Sequence, residues 1–214
     1  MPLGAPTASI ARSGISIELN QADMLRVNLM LAGVKNGAAT VIMRAVNKTL
    51  AGVRTDTVAE IRKGVNVTAK AVRDTITLHK AGKADLRARV ESRQDYGTSL
   101  AAFGARQTTK GVTVQVLRRS GRKLVRHAFI ARKPGGNVVF WRKNKARVGT
   151  APFRRGFPYA RLPRPYRLPV EKLWGPAVPD LMKHEPTFRV IEQKAGDRLS
   201  ANMKHELEYL LSRL

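Results

Sequence analysis

Apolar positions recur along this chain with two periods, and each period predicts a kind of element. Ile15, Ile17 and Leu19 alternate with Ser16 and Glu18, which predicts a short strand. Ala22, Leu25, Leu29 and Ala32 fit a helical stripe, whereas Leu25, Val27, Leu29 and Leu31 alternate like a strand. Helix is preferred, because Asn20 can cap it, no β-branched run supports a strand, and Gly33 stops or bends it. A long helix is predicted from Ala38 to Arg62. Asn36 can cap it, Ile42, Val46, Leu50, Val53, Val58, Ile61 and Val65 form its stripe, and Gly64 ends it. At 1.5 Å per residue it would run roughly 37 Å. Asn66 to Thr75 continues as a helical segment with Val67, Ala71 and Val72 inward. The last helix begins near Pro186, a residue tolerated at the first helical position. Phe188, Ile191, Ala195, Leu199, Met203, Leu207, Leu210 and Leu214 mark one face of it. Such a face must dock on its own domain or on a neighbour.

Between these helices the period shifts to two. Thr75-Ile-Thr-Leu-His and Leu86-Arg-Ala-Arg-Val read as strands around a turn at Lys80–Lys83, and Ser92 to Lys110 reads mostly as loop. Val112–Leu117, Lys123–Arg132 and Val138–Arg142 read as the strands of an antiparallel meander. Its turns are Ser120-Gly121 and Lys133-Pro-Gly-Gly-Asn, where Gly supplies positive φ and Pro presets its own. Period is lost from Ala146 to Arg167, a stretch with four Pro, six Arg and four aromatics. The predicted class is therefore α+β. Long N-terminal and C-terminal helices pack on an antiparallel sheet, and an extended Arg/Pro-rich arm leaves it. Residues 1–12 read as a flexible tail and 13–214 as a single domain, with 144–167 as the arm.

Charge changes this picture most. Between Asp95 and Glu171 there is no Asp or Glu, yet 18 Lys and Arg fall in that gap. The net charge of the chain is +25, so most of the excess sits in one segment. Such a segment repels itself unless its charges spread over an exposed surface in salt or a polyanion or acidic partner neutralises them. The candidate contacts to DNA or to an acidic partner are Arg118, Arg119, Arg122, Lys123, Arg142, Lys143, Lys145 and Arg147. Within the arm, Phe153, Arg154, Arg155, Phe157, Tyr159, Arg161, Arg164 and Tyr166 are the candidate contacts to another subunit, with an intramolecular belt over the chain's own sheet as the alternative. Arg can bridge carboxylates and stack on rings while its stem covers apolar area. Base stacking by the aromatics is the competing use. Packing is preferred to it, because Phe140 and Trp141 lie in a strand-like run and the others lie among Pro and Gly.

Candidate chemistry is sparse. There is no Cys, hence no disulfide, thiol nucleophile or thiolate metal site, which fits a reducing cytoplasm. His79, His127, His184 and His205 stand far apart with no HExxH-type pair. Glu206 and Glu208 point to different faces of a helix. The Pro134-Gly135-Gly136 turn lacks the Lys-Ser/Thr and helix start of a phosphate-cradling loop, and there is no GxSxG. An enzyme, a metal and a cofactor are not expected. No apolar run approaches the ~20 residues of a membrane span. The start, Met1-Pro-Leu-Gly-Ala-Pro, lacks the pattern of a secretory signal. A 43% hydrophobic fraction suffices for a core, and a pI near 11.5 is usual for proteins that touch nucleic acid.

Several stretches together carry a resemblance. His127-Ala-Phe129-Ile-Ala-Arg, the glycine turn and Val138-Val-Phe140-Trp-Arg-Lys resemble the hairpin of the minor tail protein Z family of phages and prophages. Leu168-Pro169-Val-Glu-Lys-Leu173-Trp174-Gly175-Pro176-Ala-Val-Pro resembles the segment before that family's C-terminal helix. The helix bearing Met43-Arg-Ala-Val-Asn-Lys-Thr fits as well, and the likeness is collinear over about residues 35–212. The family is not enzymatic. The resemblance implies a tail-completion protein of a long-tailed phage, acting at the head-proximal end as a ring near the DNA channel and aiding head-tail joining. The implied partners are copies of itself, the tail terminator, tail tube or neck proteins, and genomic DNA through charge, with no membrane. The implied location is the tail or neck of the virion, with the host cytoplasm during assembly. A free nucleic-acid-binding protein of ribosomal or chromatin type is the alternative. Composition does not separate the two, and the order of elements with the Leu168–Pro179 segment favours the tail protein.

Overall fold

The structure, a computed structural model, describes residues 7–11, 14–19, 21–34, 37–94, 96–134, 136–142 and 170–213. The sequence predicts one domain over 13–214. Within the chain two compact units can be distinguished, which it enters alternately. One comprises residues 1–61, 72–95 and 178–214, here the helical unit. The other comprises 62–71 and 96–177, here the basic unit.

The helical unit is built on two long helices. α1 (Gln21–Met30) precedes α2 (Gly37–Gly64), whose last turn belongs to the basic unit. The chain then forms α3 (Ala69–Arg73), α4 (Val178–Lys183) and α5 (Glu185–Leu211). On α1 the predicted stripe is wrong: Leu25 and Leu29 are exposed, and Val27 and Leu31 are the buried pair. On the two long helices the centre of each predicted stripe is buried, while Phe188, Leu207 and Leu210 toward the ends of α5 are half-buried. On α2, Ile42, Val46, Leu50, Val53, Val58 and Ile61 are buried, and on α5 so are Ile191, Ala195, Leu199 and Met203. Polar pairs beside the stripes fix the register. Lys194 Nζ lies 3.2 Å from Glu60, Arg198 Nε 2.6 Å from Asp56, and Asn202 donates to Thr49 Oγ1 at 2.9 Å. Lys48 faces Glu206 at 4.0 Å. As one residue number rises the other falls, so α2 and α5 run antiparallel, and the α5 members of these pairs stand one helical turn apart. Thr49 also bonds its own helix at Ala45 O, and Asn47 pins the following loop by bonding both N–H and C=O of Ala81.

The sheet of this unit has the order β1-β2-β4-β3, all antiparallel. β1 is Thr7–Ala11, β2 Gly14–Glu18, β3 Ile76–His79 and β4 Ala88–Ser92. Alternation turns Ile15, Ile17, Ala88, Val90 and Ile76 inward, where all are buried. Within the stretch 1–12, read from sequence as a tail, residues 7–11 form β1. β4 takes one edge of β2, and the free edge pairs with residues 7–11, a stretch without Pro.

The basic unit holds two three-stranded antiparallel sheets, ordered β5-β6-β7 and β10-β9-β8. The strands are β5 Arg106–Thr108, β6 Gly111–Val114, β7 Lys123–Arg126, β8 Ala128–Lys133, β9 Gly136–Arg142 and β10 Val170–Lys172. The predicted single strand over 123–132 is split at His127, whose φ of 59° lies in the left-handed region and ends the ladder. The expected meander is thereby divided between two sheets. The glycine turn does join paired strands, with Lys133 opposite Gly136. Residues 92–110, expected mostly as loop, contain a 3-10 turn at Leu100–Phe103 and β5. The turn forms because Leu100 and Phe103 are both buried, while β5 has no apolar residue for a pattern to show.

Candidate interaction surface

The segment Leu173–Pro176 is held on two sides within the basic unit. Leu173 N–H donates to Val139 O at 2.9 Å, and Leu173 O accepts from Leu100 N–H at 3.1 Å. Gly175 N–H donates to Thr98 O at 2.7 Å, and Thr98 N–H to Pro176 O at 3.3 Å. Two glycines make this approach close enough. A Cβ on Gly97 would overlap the Gly175 carbonyl, and a Cβ on Gly175 would enter the ring of fully buried Phe103. Gly175 and Pro176 thus serve packing, and Trp174 projects from the clamp to the surface.

The predicted cations divide by what they touch. Arg118 Nε donates to Arg62 O at 2.6 Å, and its own N–H bonds Gly64 O at 3.0 Å. Arg122 bonds Gly104 O and, at 3.1 Å, Thr113 O. These two guanidiniums tie loops to backbone carbonyls, in a region where sequence supplies no carboxylate. Arg119 and Lys123 are exposed. Arg142 ends β9 opposite Val170. Lys143, Lys145 and Arg147 lie outside the described residues. So do Phe153, Arg154, Arg155, Phe157, Tyr159, Arg161, Arg164, Tyr166, Leu168 and Pro169.

The sheet β8-β9-β10 has two unlike faces. Ala128 and Val139 are buried on one, where Trp141 Nε1 donates to Glu171 Oε2 at 2.9 Å. The other carries Phe129, Ala131, Lys133, Val138, Phe140 and Lys172, as the register places them. None of these six is fully buried. Phe129 and Phe140 stack at 5.9 Å between centroids, and Lys133 Nζ lies 5.0 Å from the Phe140 centroid. Next to them Trp174 stacks on Tyr96 at 5.5 Å, and Lys172 Nζ sits 3.6 Å from the Trp174 centroid. Tyr96 is 69% exposed and Trp174 41%. Partial burial, then the charge of Lys133, pulls the Lys172 pKa below its ordinary value. Sequence reasoning singled out Phe129, Phe140 and Trp174 but not Tyr96, Lys133 or Lys172. Period two would have put Lys133 on the Phe129 side of its strand, but no local pattern announces the Tyr96–Trp174 stack.

Among the described residues no three His, Cys, Asp or Glu lie together as a metal site would need. His79 meets Glu91 at 3.1 Å, and His127 marks the break between β7 and β8. No described helix is long and apolar enough to cross a membrane.

Residues 29–214 match the family described as prophage minor tail protein Z (GPZ). The chain belongs to the minor tail protein Z family. Neither the curated proteins nor the solved structures contain a match to it. The Z family gives the chain a structural role in the phage tail, among the other proteins of the virion, and a structural tail family calls for no catalysis. The stretch that resembles a family hairpin forms the pair β8–β9 with Phe129 opposite Phe140, His127 standing just before it, and Leu173–Pro176 forms the clamp.

Proposed function

We propose that this Z-family protein completes the tail at its head-proximal end, as a ring of copies near the DNA channel, and aids the joining of head to tail. The observation that carries the reading is the segregation of charge within a tail-protein family. Of the 40 Lys and Arg in the chain, 22 lie in the basic unit, which holds one acidic residue, Glu171. A unit so charged is suited to an anionic neighbour, through charge rather than sequence reading. Arg119, Lys123, Arg142, Lys143, Lys145 and Arg147 are the proposed contacts to DNA or an acidic ring. Arg118 and Arg122 add charge there while bracing the backbone. The stretch 144–167, through its arginines and aromatics, is the proposed contact to the next subunit.

Heads and tails assembled without the protein test this reading. They should fail to join, and purified protein added to that mixture should restore joining. Normal joining in its absence would overturn the proposal. Light scattering on a sizing column, with and without tail components, should show a ring. Deleting Thr150 to Pro165 should leave a folded monomer that no longer joins tails, whereas an unfolded monomer would assign the stretch to its own core. Binding to duplex DNA should weaken steeply with salt as counterion release predicts, and an isotherm that barely changes with salt would remove DNA from the partners.

A further inference from the structure

We propose that the outer face of β8-β9-β10 is a docking surface for an acidic segment of a neighbouring protein, whose carboxylates Lys133 and Lys172 take up. The proposal rests on the assembly reading only in taking that neighbour to be a virion protein. Three features of the face select a protein carboxylate. Its cations are unopposed on that face, since Glu171, the one acidic residue of the unit, lies on the other face and bonds Trp141. Lys133 Nζ lies over the Phe140 ring and Lys172 is paired with Phe140 across β9–β10, so both lysines flank one ring and an anion between them relieves repulsion.

The face is also aromatic and apolar, with Phe129, Val138 and Phe140 partly open and the exposed Tyr96–Trp174 stack beside them. Aromatic anchors with a charged rim are the make-up of a protein interface. Nucleic-acid surfaces are more polar and lean on Arg. Finally, the rings are poorly placed to take bases. Phe140 already has Phe129 against it and Lys133 over it, and Trp174 has Tyr96 against it and Lys172 over it. Base stacking needs a free ring face, and the two central rings have little left to offer.

Fluorescence anisotropy with labelled oligoglutamate tests the proposal on the full chain. The double variant K133Q/K172Q should bind about tenfold more weakly than wild type, a loss of about 1.4 kcal/mol. R106Q/R126Q removes the same charge from the outward side of β5-β6-β7 and should weaken binding about twofold or less. K133R/K172R should bind as wild type does. Equal weakening of the two glutamine variants would mean general charge alone and overturn the proposal. So would duplex DNA of matched charge depending on the lysine pair more than oligoglutamate does. Lys133 is exposed, so K133Q alone serves if the double variant melts early. It should cost about threefold, and no loss would overturn the idea. The pair could fail here while head-tail joining behaves as proposed, and the reverse, so the two readings fail separately.

Discussion

The two units solve the same problem, holding charged chain in a packed state, with different partners. In the helical unit, 18 Lys and Arg face 14 Asp and Glu, the remainder once the 22 and one of the basic unit are set aside. Its α2–α5 seam is lined by opposite charges at one-turn intervals, Glu60 with Lys194 and Asp56 with Arg198, beside a buried stripe. The Asp56–Arg198 pair is bidentate, with Arg198 Nη2 3.0 Å from the second oxygen, and this pair raises the already high Arg198 pKa. The basic unit has no such supply of acid. Arg118 and Arg122 bond backbone carbonyls, and Lys133 and Lys172 lie over rings. A carbonyl or a ring holds a cation in place without cancelling its charge. The helical unit is thus nearly neutralised from within, while the basic unit keeps its field for an external anion.

If packing rather than charge holds each unit, the largest effects should come from uncharged substitutions. Gly97→Val would drive a side chain into the Gly175 carbonyl and should cost about 3 kcal/mol. Loss of hydrogen-exchange protection confined to residues 96–142 and 170–177 would locate the damage in the clamp. Leu199→Ala, at a position 1% exposed, should also cost about 3 kcal/mol, read as a lower urea midpoint, with protection lost in α2 and α5. A cost below about 1 kcal/mol would mean that the helix seam is not the core of its unit.

Charge effects should be smaller and opposite in the two units. Asp56→Ala should cost less than about 1 kcal/mol, because Arg198 is half exposed, and the cost should shrink in salt. A measured loss of several kcal/mol would show that the seam depends on its ion pairs. Raising salt should increase amide protection at Val112 and Val139 by screening repulsion, with little change at Val53 and Leu199. Equal responses would erase the contrast drawn above. The smallest effect concerns Lys172, whose folded pKa lies below its ordinary 10.5. Between the two values the unfolded chain binds the proton more tightly, so stability rises with pH across that window. Lys172→Met should flatten this rise in a melting series, and an unchanged slope would assign it elsewhere.

Sequence alone determined the two long helices, because a stripe of period 3.6 has one efficient way to be buried, whereas the face that α1 buries, Val27 and Leu31 rather than Leu25 and Leu29, was left to packing. The central residues that mark α2 and α5 are those the fold buries. Sequence also determined the glycine turn, the charge imbalance and, through the hairpin and the Leu173–Pro176 segment, the family. Tertiary structure alone decided what local pattern cannot carry. Thr7–Ala11 became a strand because β2 had a free edge, and Arg106–Thr108 became one through backbone pairing with β6. His127 assigned neighbouring strands to separate sheets by one backbone angle. Whether an arginine meets a carbonyl, as Arg118 does, or stands in solvent, as Arg119 does, depends on what lies some 50 residues away in the chain. Periodicity reports the face a residue occupies, and only long-range packing supplies the partner on that face.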